Sequence, residues 1–122
     1  MILLEICEPS VDLLKSALTH DLAESETGDI PATAKWASPD LGWALEKLEF
    51  EYNKRFEVNF TLSPHEQECL KWADMLELIM YCQTEVSMGN LKMEGIVRTG
   101  ITYLDARNPP TLLASAFLEL LK

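Results

Sequence analysis

Apolar side chains recur along this chain every three to four residues, and no stretch shows the sustained alternation of a strand. The opening Ile2-Leu3-Leu4-Glu5-Ile6-Cys7 reads as the tail of a helix without a cap. Glu8-Pro9-Ser10 then breaks and restarts the chain, with Pro9 suited to a first helical turn. From Val11 to about Glu24, Leu14, Leu18 and Leu22, with Leu13 and Ala17 beside them, predict an amphipathic helix. Thr27-Gly28-Asp29-Ile30-Pro31 predicts a loop, since Gly28 permits an unusual backbone and Pro31 ends regular hydrogen bonding. A short helical piece follows through Lys35-Trp36.

Ser38-Pro39-Asp40 predicts a second long helix running to about Phe56. Its inward positions read as Leu41, Ala44, Leu45, Leu48 and Tyr52; Glu46, Lys47, Glu49, Glu51 and Lys54 read as outward. Ser63-Pro64-His65-Glu66 is a capping-box pattern that opens the longest helix, ending near Gly89-Asn90. Between Cys69 and Cys82 that helix is apolar nearly all round, which predicts that it forms the centre of the core. Two further helices, from about Leu91 to Ala106 and from Asn108-Pro109-Pro110 to Lys122, complete an all-α chain of about six helices.

At 122 residues the chain is long enough for a single core and is read as one domain. A net charge of −10 argues against general affinity for nucleic acid polymers or anionic membranes, both of which need basic patches. An acidic protein can still act on an anionic substrate where a metal inverts the local field. The three cysteines have no metal-binding or redox spacing and read as small buried hydrophobes in a reducing compartment. The opening residues reach Glu5 with no basic run ahead of the apolar ones, and no apolar run approaches membrane-spanning length, so a cytoplasmic protein is expected.

Candidate chemistry concentrates in one stretch, 19–31. His20 and Asp21 are adjacent, Glu24 follows one helical turn later, and Asp29 stands just past Gly28. On a continuous helix His20 and Glu24 would lie about 40° apart, and Asp21, about 100° from His20, is close enough for both to reach one ion lying against that face. Imidazole beside carboxylates is the donor set of a divalent metal site. Asp74 adds a carboxylate in the most buried-looking helix, where an unpaired charge would cost several kcal/mol. Lys35 can offer a mobile point charge to a phosphate. Trp36 and Trp43 flank the region, and aromatics at helical spacing are more often core than platforms for a base. His65 lies in a helix cap and reads as a surface residue.

His20-Asp21-Leu22-Ala23-Glu24, followed by Thr27-Gly28-Asp29-Ile30-Pro31 and a later Ala73-Asp74 on a long helix, resembles the HD-domain metal-dependent phosphohydrolases. Within them the string is most similar to the bacterial 5'-deoxynucleotidases and the phage dATP triphosphohydrolases. The resemblance covers roughly residues 1 to 90 and implies an HD-type helical bundle. It implies metal ligands in the order His, His-Asp, Asp, so that His20, Asp21 and Asp74 supply the last three. Glu24 and Asp29 match the acids beside the reacting water and the scissile phosphate, and Lys35 matches a lysine near the substrate phosphates. The first His and a phosphate-contacting Arg belong to a helix ahead of Ile2, so the chain is expected to be a single HD-type domain with its N-terminal helix truncated.

The function so implied is hydrolysis of a nucleoside 5'-phosphate ester, or release of triphosphate from a dNTP, through metal-activated water. One divalent ion (Mn, Co, Mg, Zn or Fe) would be the cofactor, a deoxynucleotide the substrate, and a homodimer the assembly. The alternative is a non-catalytic HD-fold module acting through its helical surfaces. The absent first His motivates that alternative directly.

Overall fold

The computed structural model describes residues 2–58 and 60–122, with Ala32 described by its backbone alone. Eight α-helical segments and one 3₁₀ turn account for its regular structure, with no strand among the described residues. The helices are α1 (Ile2–Ile6), α2 (Val11–Thr19), α3 (Glu24–Thr27), α4 (Ala32–Ala37), α5 (Pro39–Arg55), α6 (Pro64–Ser87), α7 (Glu94–Asp105) and α8 (Leu112–Leu121). The all-α expectation holds, but two expected helices are subdivided. The helix from Val11 stops at Thr19, and the one expected from Leu91 begins as a 3₁₀ turn over Leu91–Met93. The chain forms two compact units, one of Met1–Ser10 with Leu62–Lys122 and one of Val11–Thr61.

The larger unit is built on α6. Its cap forms as the sequence predicts: the Ser63 hydroxyl accepts from the Glu66 N–H at 3.2 Å, and the Glu66 carboxylate accepts from the Ser63 N–H at 2.9 Å. One face of α6, carrying Cys69, Trp72, Ala73, Leu76, Ile79 and Cys82, is buried. Leu3 and Ile6 of α1, Gly100 and Leu104 of α7, and Ala114 and Leu118 of α8 are the buried residues of the other helices. Thr111 ties this unit together. Its hydroxyl accepts from the Ala114 N–H at 3.0 Å, capping α8, and donates to the carbonyl of Ile6.

The centre of the α6 stripe explains where Asp74 lies. Successive residues turn by about 100°, which puts Asp74 nearly opposite Leu76 and Trp72, and it is exposed. The burial that made its charge look costly is therefore absent. Cys69 and Cys82 are buried free thiols, with that of Cys69 pushed up to about 12 by burial, while Cys7 is half-buried. No described helix is long and apolar enough to cross a membrane.

Gly100 sets the approach of α7 to α6. A Cβ there would meet Ile79 Cγ1 at 2.8 Å and Cδ1 at 3.2 Å, and Met75 Sδ at 3.3 Å. Alanine would gain about 1 kcal/mol of helix propensity. Overpacking against a buried β-branched side chain costs about 1–3 kcal/mol. Gly100→Ala is therefore expected to destabilise the protein by about 1 kcal/mol, read as a lower urea midpoint at unchanged slope.

The smaller unit contains α2 to α5. Leu13 is buried and Ala17 half-buried, whereas Leu18 is 83% exposed. Of the apolar positions expected to face inward, Leu13, Leu14 and Ala17 do so, with His20 half-buried beyond them, whereas Leu18 and Leu22 are exposed. The helical period admits all of these positions, and packing selected the side that carries the histidine. Ser38 occupies the N-cap of α5, but its side chain accepts no capping bond.

Candidate functional site

His20 follows directly on α2, with its N–H still bonded to the Ser16 carbonyl at 2.8 Å. Its Nδ1 lies 2.7 Å from the carbonyl oxygen of Ala17. A carbonyl only accepts, so Nδ1 carries a proton and donates, and Nε2 is the nitrogen that a metal ion would take. Nε2 in turn faces Asp21 Oδ1 at 3.3 Å. Two donors each about 2.1 Å from a common ion stand about 3.0–3.4 Å apart for octahedral to tetrahedral angles. The doublet therefore fits as two neighbouring ligands, with the backbone acceptor that usually orients a ligating imidazole.

Beyond Thr19 the chain tightens. Leu22, Glu24, Ser25 and Glu26 donate to carbonyls three residues back rather than four. The expected 40° relation between His20 and Glu24 does not apply here, because each residue of such a turn advances by about 120°. Asp21 and Glu24 share a face instead. Gly28 follows with φ +73°, the left-handed backbone that favours glycine, and carries the chain into the loop toward α4.

The residue on which this face converges was not among the candidates. Glu49 of α5 is half-buried, and its carboxyl is pushed above the ordinary value of 4.5. Burial is the main cause; the Lys35 cation opposes it, and the Glu24, Glu46 and Asp21 carboxylates add to it. The charges of Asp21, Glu24 and Lys35 thus all act on one half-buried acid, with α4 packed on α5. The sequence reading placed Glu49 outward and Leu48 inward. The structure reverses them, with Leu48 53% exposed. A signal was present: Leu41, Leu45, Glu49 and Tyr52 recur at four, four and three residues, so a carboxylate occupies a place the stripe would give to a hydrophobe.

Glu49 also makes a test of the packing. A carboxyl with a raised folded value binds protons more readily in the folded state, so its penalty is absent below about pH 4 and develops as pH rises through that folded value. In chelated protein, Glu49→Gln is expected to raise the melting temperature at pH 7 and to leave it unchanged near pH 3.5. A gain that persists at low pH would mean that burial of the charge is not the cause.

Asp29 is exposed in the loop and is not among the groups acting on Glu49. Asp74 belongs to the other unit. Among the described residues no three His, Cys, Asp or Glu side chains close on one point as a complete ligand set. His65 is exposed in the first turn of α6, its Nε2 3.6 Å from Cys69 Sγ. Trp36 and Trp43 are 42% and 70% exposed and form no core.

Comparison with known proteins completes the picture. A 5'-deoxynucleotidase from Vibrio atlanticus (strain LGP32) is 28% identical over 108 residues, covering 76% of this chain and 56% of that protein. A 5'-deoxynucleotidase from Vibrio cholerae serotype O1 is 28% identical over 89 residues, covering 61% of this chain and 46% of that protein. The chain thus spans about half the length of the curated relatives it matches. No solved structure gives a significant match. The family described as 5'-deoxynucleotidase YfbR-like matches residues 8–120, nearly the whole chain and every candidate site residue named above. The chain belongs to the YfbR-like 5'-deoxynucleotidase family.

Proposed function

We propose that this chain carries the metal-binding doublet and reacting acids of a divalent-metal phosphohydrolase that cleaves the phosphate ester of deoxynucleoside 5'-monophosphates. The observation that carries the reading is the His20 pair of contacts, with Nδ1 held by the Ala17 carbonyl and Nε2 turned to Asp21. His20 and Asp21 would hold the ion, joined by Asp74. A bound divalent ion acidifies a coordinated water and neutralises phosphate charge. Glu24, on the face of Asp21, is placed to accept the proton of the attacking water. Lys35 balances phosphate charge as a point cation, and Glu49 beside it limits how far that cation strays. Asp29, on the glycine-led loop, is assigned to the departing oxygen or the sugar. The names of the two relatives support the monophosphate over the triphosphate as substrate.

The test is phosphate release from a panel of deoxynucleoside monophosphates with Mn²⁺, Co²⁺, Mg²⁺, Zn²⁺ or Fe²⁺, alongside metal analysis of the purified protein. One tightly held ion and turnover on the panel are expected. Stably folded protein that takes up no ion and releases no phosphate favours the second reading, a non-catalytic helical module. A homodimer is proposed as the assembly, with the outer face of α8 as its contact: Leu112, Leu113 and Leu120 are exposed there. Sedimentation of wild type against Leu113→Glu checks it. Free thiols at Cys7, Cys69 and Cys82 support a reducing, cytoplasmic location.

A further inference from the structure

Cys7 and Cys69 are nucleophiles that the phosphohydrolase chemistry does not use, and the larger unit brings them together. Cys7 follows α1 and Cys69 lies on α6, two helices packed on each other. The backbone around Cys7 is anchored on both sides. The Ile6 carbonyl accepts from the Thr111 hydroxyl, and the Ser10 hydroxyl donates to the carboxylate of Glu66, one turn before Cys69. The Cys7 thiol donates to the Leu3 carbonyl at 3.3 Å and shares a hydrogen bond with the Cys69 thiol. Cys7 is half-buried, within reach of a small solute, whereas Cys69 is buried. Cys69 Sγ has a further neighbour, Nε2 of the exposed His65, at 3.6 Å.

The two thiols are not equivalent. Burial raises both, and the Glu66 carboxylate raises both further, but their shared bond lowers Cys7 and raises Cys69. Cys7 therefore ionises first, with the Cys69 S–H donating to it, and it is also the more accessible of the two. Cys82 is out of reach as a partner. It lies farther along the same continuous helix as Cys69, a rise of about 20 Å, whereas a disulfide needs Cα atoms within about 7 Å. Position in the chain gives a Cys7–Cys69 bond its consequence. Cys7 precedes the 11–61 unit and Cys69 follows it, so the bond closes a ring that contains that whole unit, His20 and Asp21 included. Closing so long a loop restricts the unfolded chain far more than the folded one.

We propose that Cys7 and Cys69 are a redox-active pair, oxidised by a hydroperoxide to an intramolecular disulfide, with His65 accepting the proton of Cys69. The Cys7 thiolate attacks one peroxide oxygen and the O–O bond breaks; the departing hydroxide takes up the proton Cys7 had lost, leaving a sulfenic acid and one water. Cys69 sulfur then attacks the sulfenic sulfur and gives its proton to His65 Nε2. The S–O bond breaks, and the hydroxide released takes that proton as a second water. Two thiols lose two electrons, and one peroxide becomes two waters.

The test titrates chelated protein with hydrogen peroxide, alkylates the remaining thiols with N-ethylmaleimide in denaturant, and maps the peptides by mass spectrometry without reduction. One Cys7–Cys69 link per chain is expected, with Cys82 still alkylated. The melting temperature should rise by about 5 °C or more and return on adding dithiothreitol. Cys69→Ser should stop at a Cys7 sulfenic acid that dimedone traps. His65→Gln, at an exposed position, should match the melting temperature of reduced wild type yet form the disulfide at least threefold more slowly, with sulfenic acid accumulating. A link through Cys82, links only between chains, or Cys7 driven to sulfinic acid with Cys69 still free would overturn the pair. Wild-type rates in His65→Gln would overturn the role of the histidine.

Discussion

Asp21→Asn is expected to reduce divalent-ion affinity by about a hundredfold or more, and kcat/KM on a deoxynucleoside monophosphate by about a thousandfold. The substitution keeps the shape of the side chain and the helix-to-turn geometry, since the bonds that position residue 21 are backbone bonds. It removes one formal charge and replaces one carboxylate oxygen with an amide nitrogen that donates rather than ligates. The imidazole of His20 keeps its anchor on the Ala17 carbonyl, so the remaining donor is still presented correctly. What is lost is the second of two donors 3.3 Å apart. Glu24→Gln is the comparison that separates holding the ion from reacting: it should retain the metal and lose turnover. Metal content after gel filtration and initial rates of phosphate release give both quantities. Wild-type metal content in Asp21→Asn would remove Asp21 from the ligand set, and full turnover in Glu24→Gln would remove the proposed base.

Much of the chain was legible where the deciding interactions are local. The Ser63–Glu66 cap, the end of α6 near Gly89 with φ +99°, and the loop through Gly28 depend on residues within a few positions of each other. The family itself was legible for the same reason, in the string from His20 to Pro31. The misreadings share a different cause. After Val11 the positions Leu13, Leu14, Ala17, Leu18 and Leu22 all satisfy a helical period, and only packing leaves Leu18 and Leu22 exposed. Glu49 was missed because its meaning comes from Lys35, Glu24 and Asp21, which lie on other segments. Asp74 was misjudged by averaging over α6: a helix rich in apolar residues still presents one side to water, and that side carries the carboxylate.

Trp72→Ala is expected to cost about 3–5 kcal/mol, the largest loss from any single substitution considered. Trp72 is 1% exposed and is the bulkiest of the fully buried side chains, on the face of α6 that also buries Leu76 and Ile79. Its removal opens a cavity lined by side chains held on rigid helices, so little of the lost contact can be recovered by collapse. The indole Nε1 has no hydrogen-bond partner among the described residues, so nothing is lost there to set against the packing term. Against a total stability of about 5–15 kcal/mol, the variant should sit near its unfolding threshold at 37 °C. Trp43→Ala gives the scale: it makes the same chemical change on a helix, at a side chain 70% exposed, and should shift stability by no more than about 0.5 kcal/mol. Urea titrations of the two variants measure the contrast directly. Equal midpoints would mean that α6 does not organise the core, and the larger unit would have to be rebuilt around another helix.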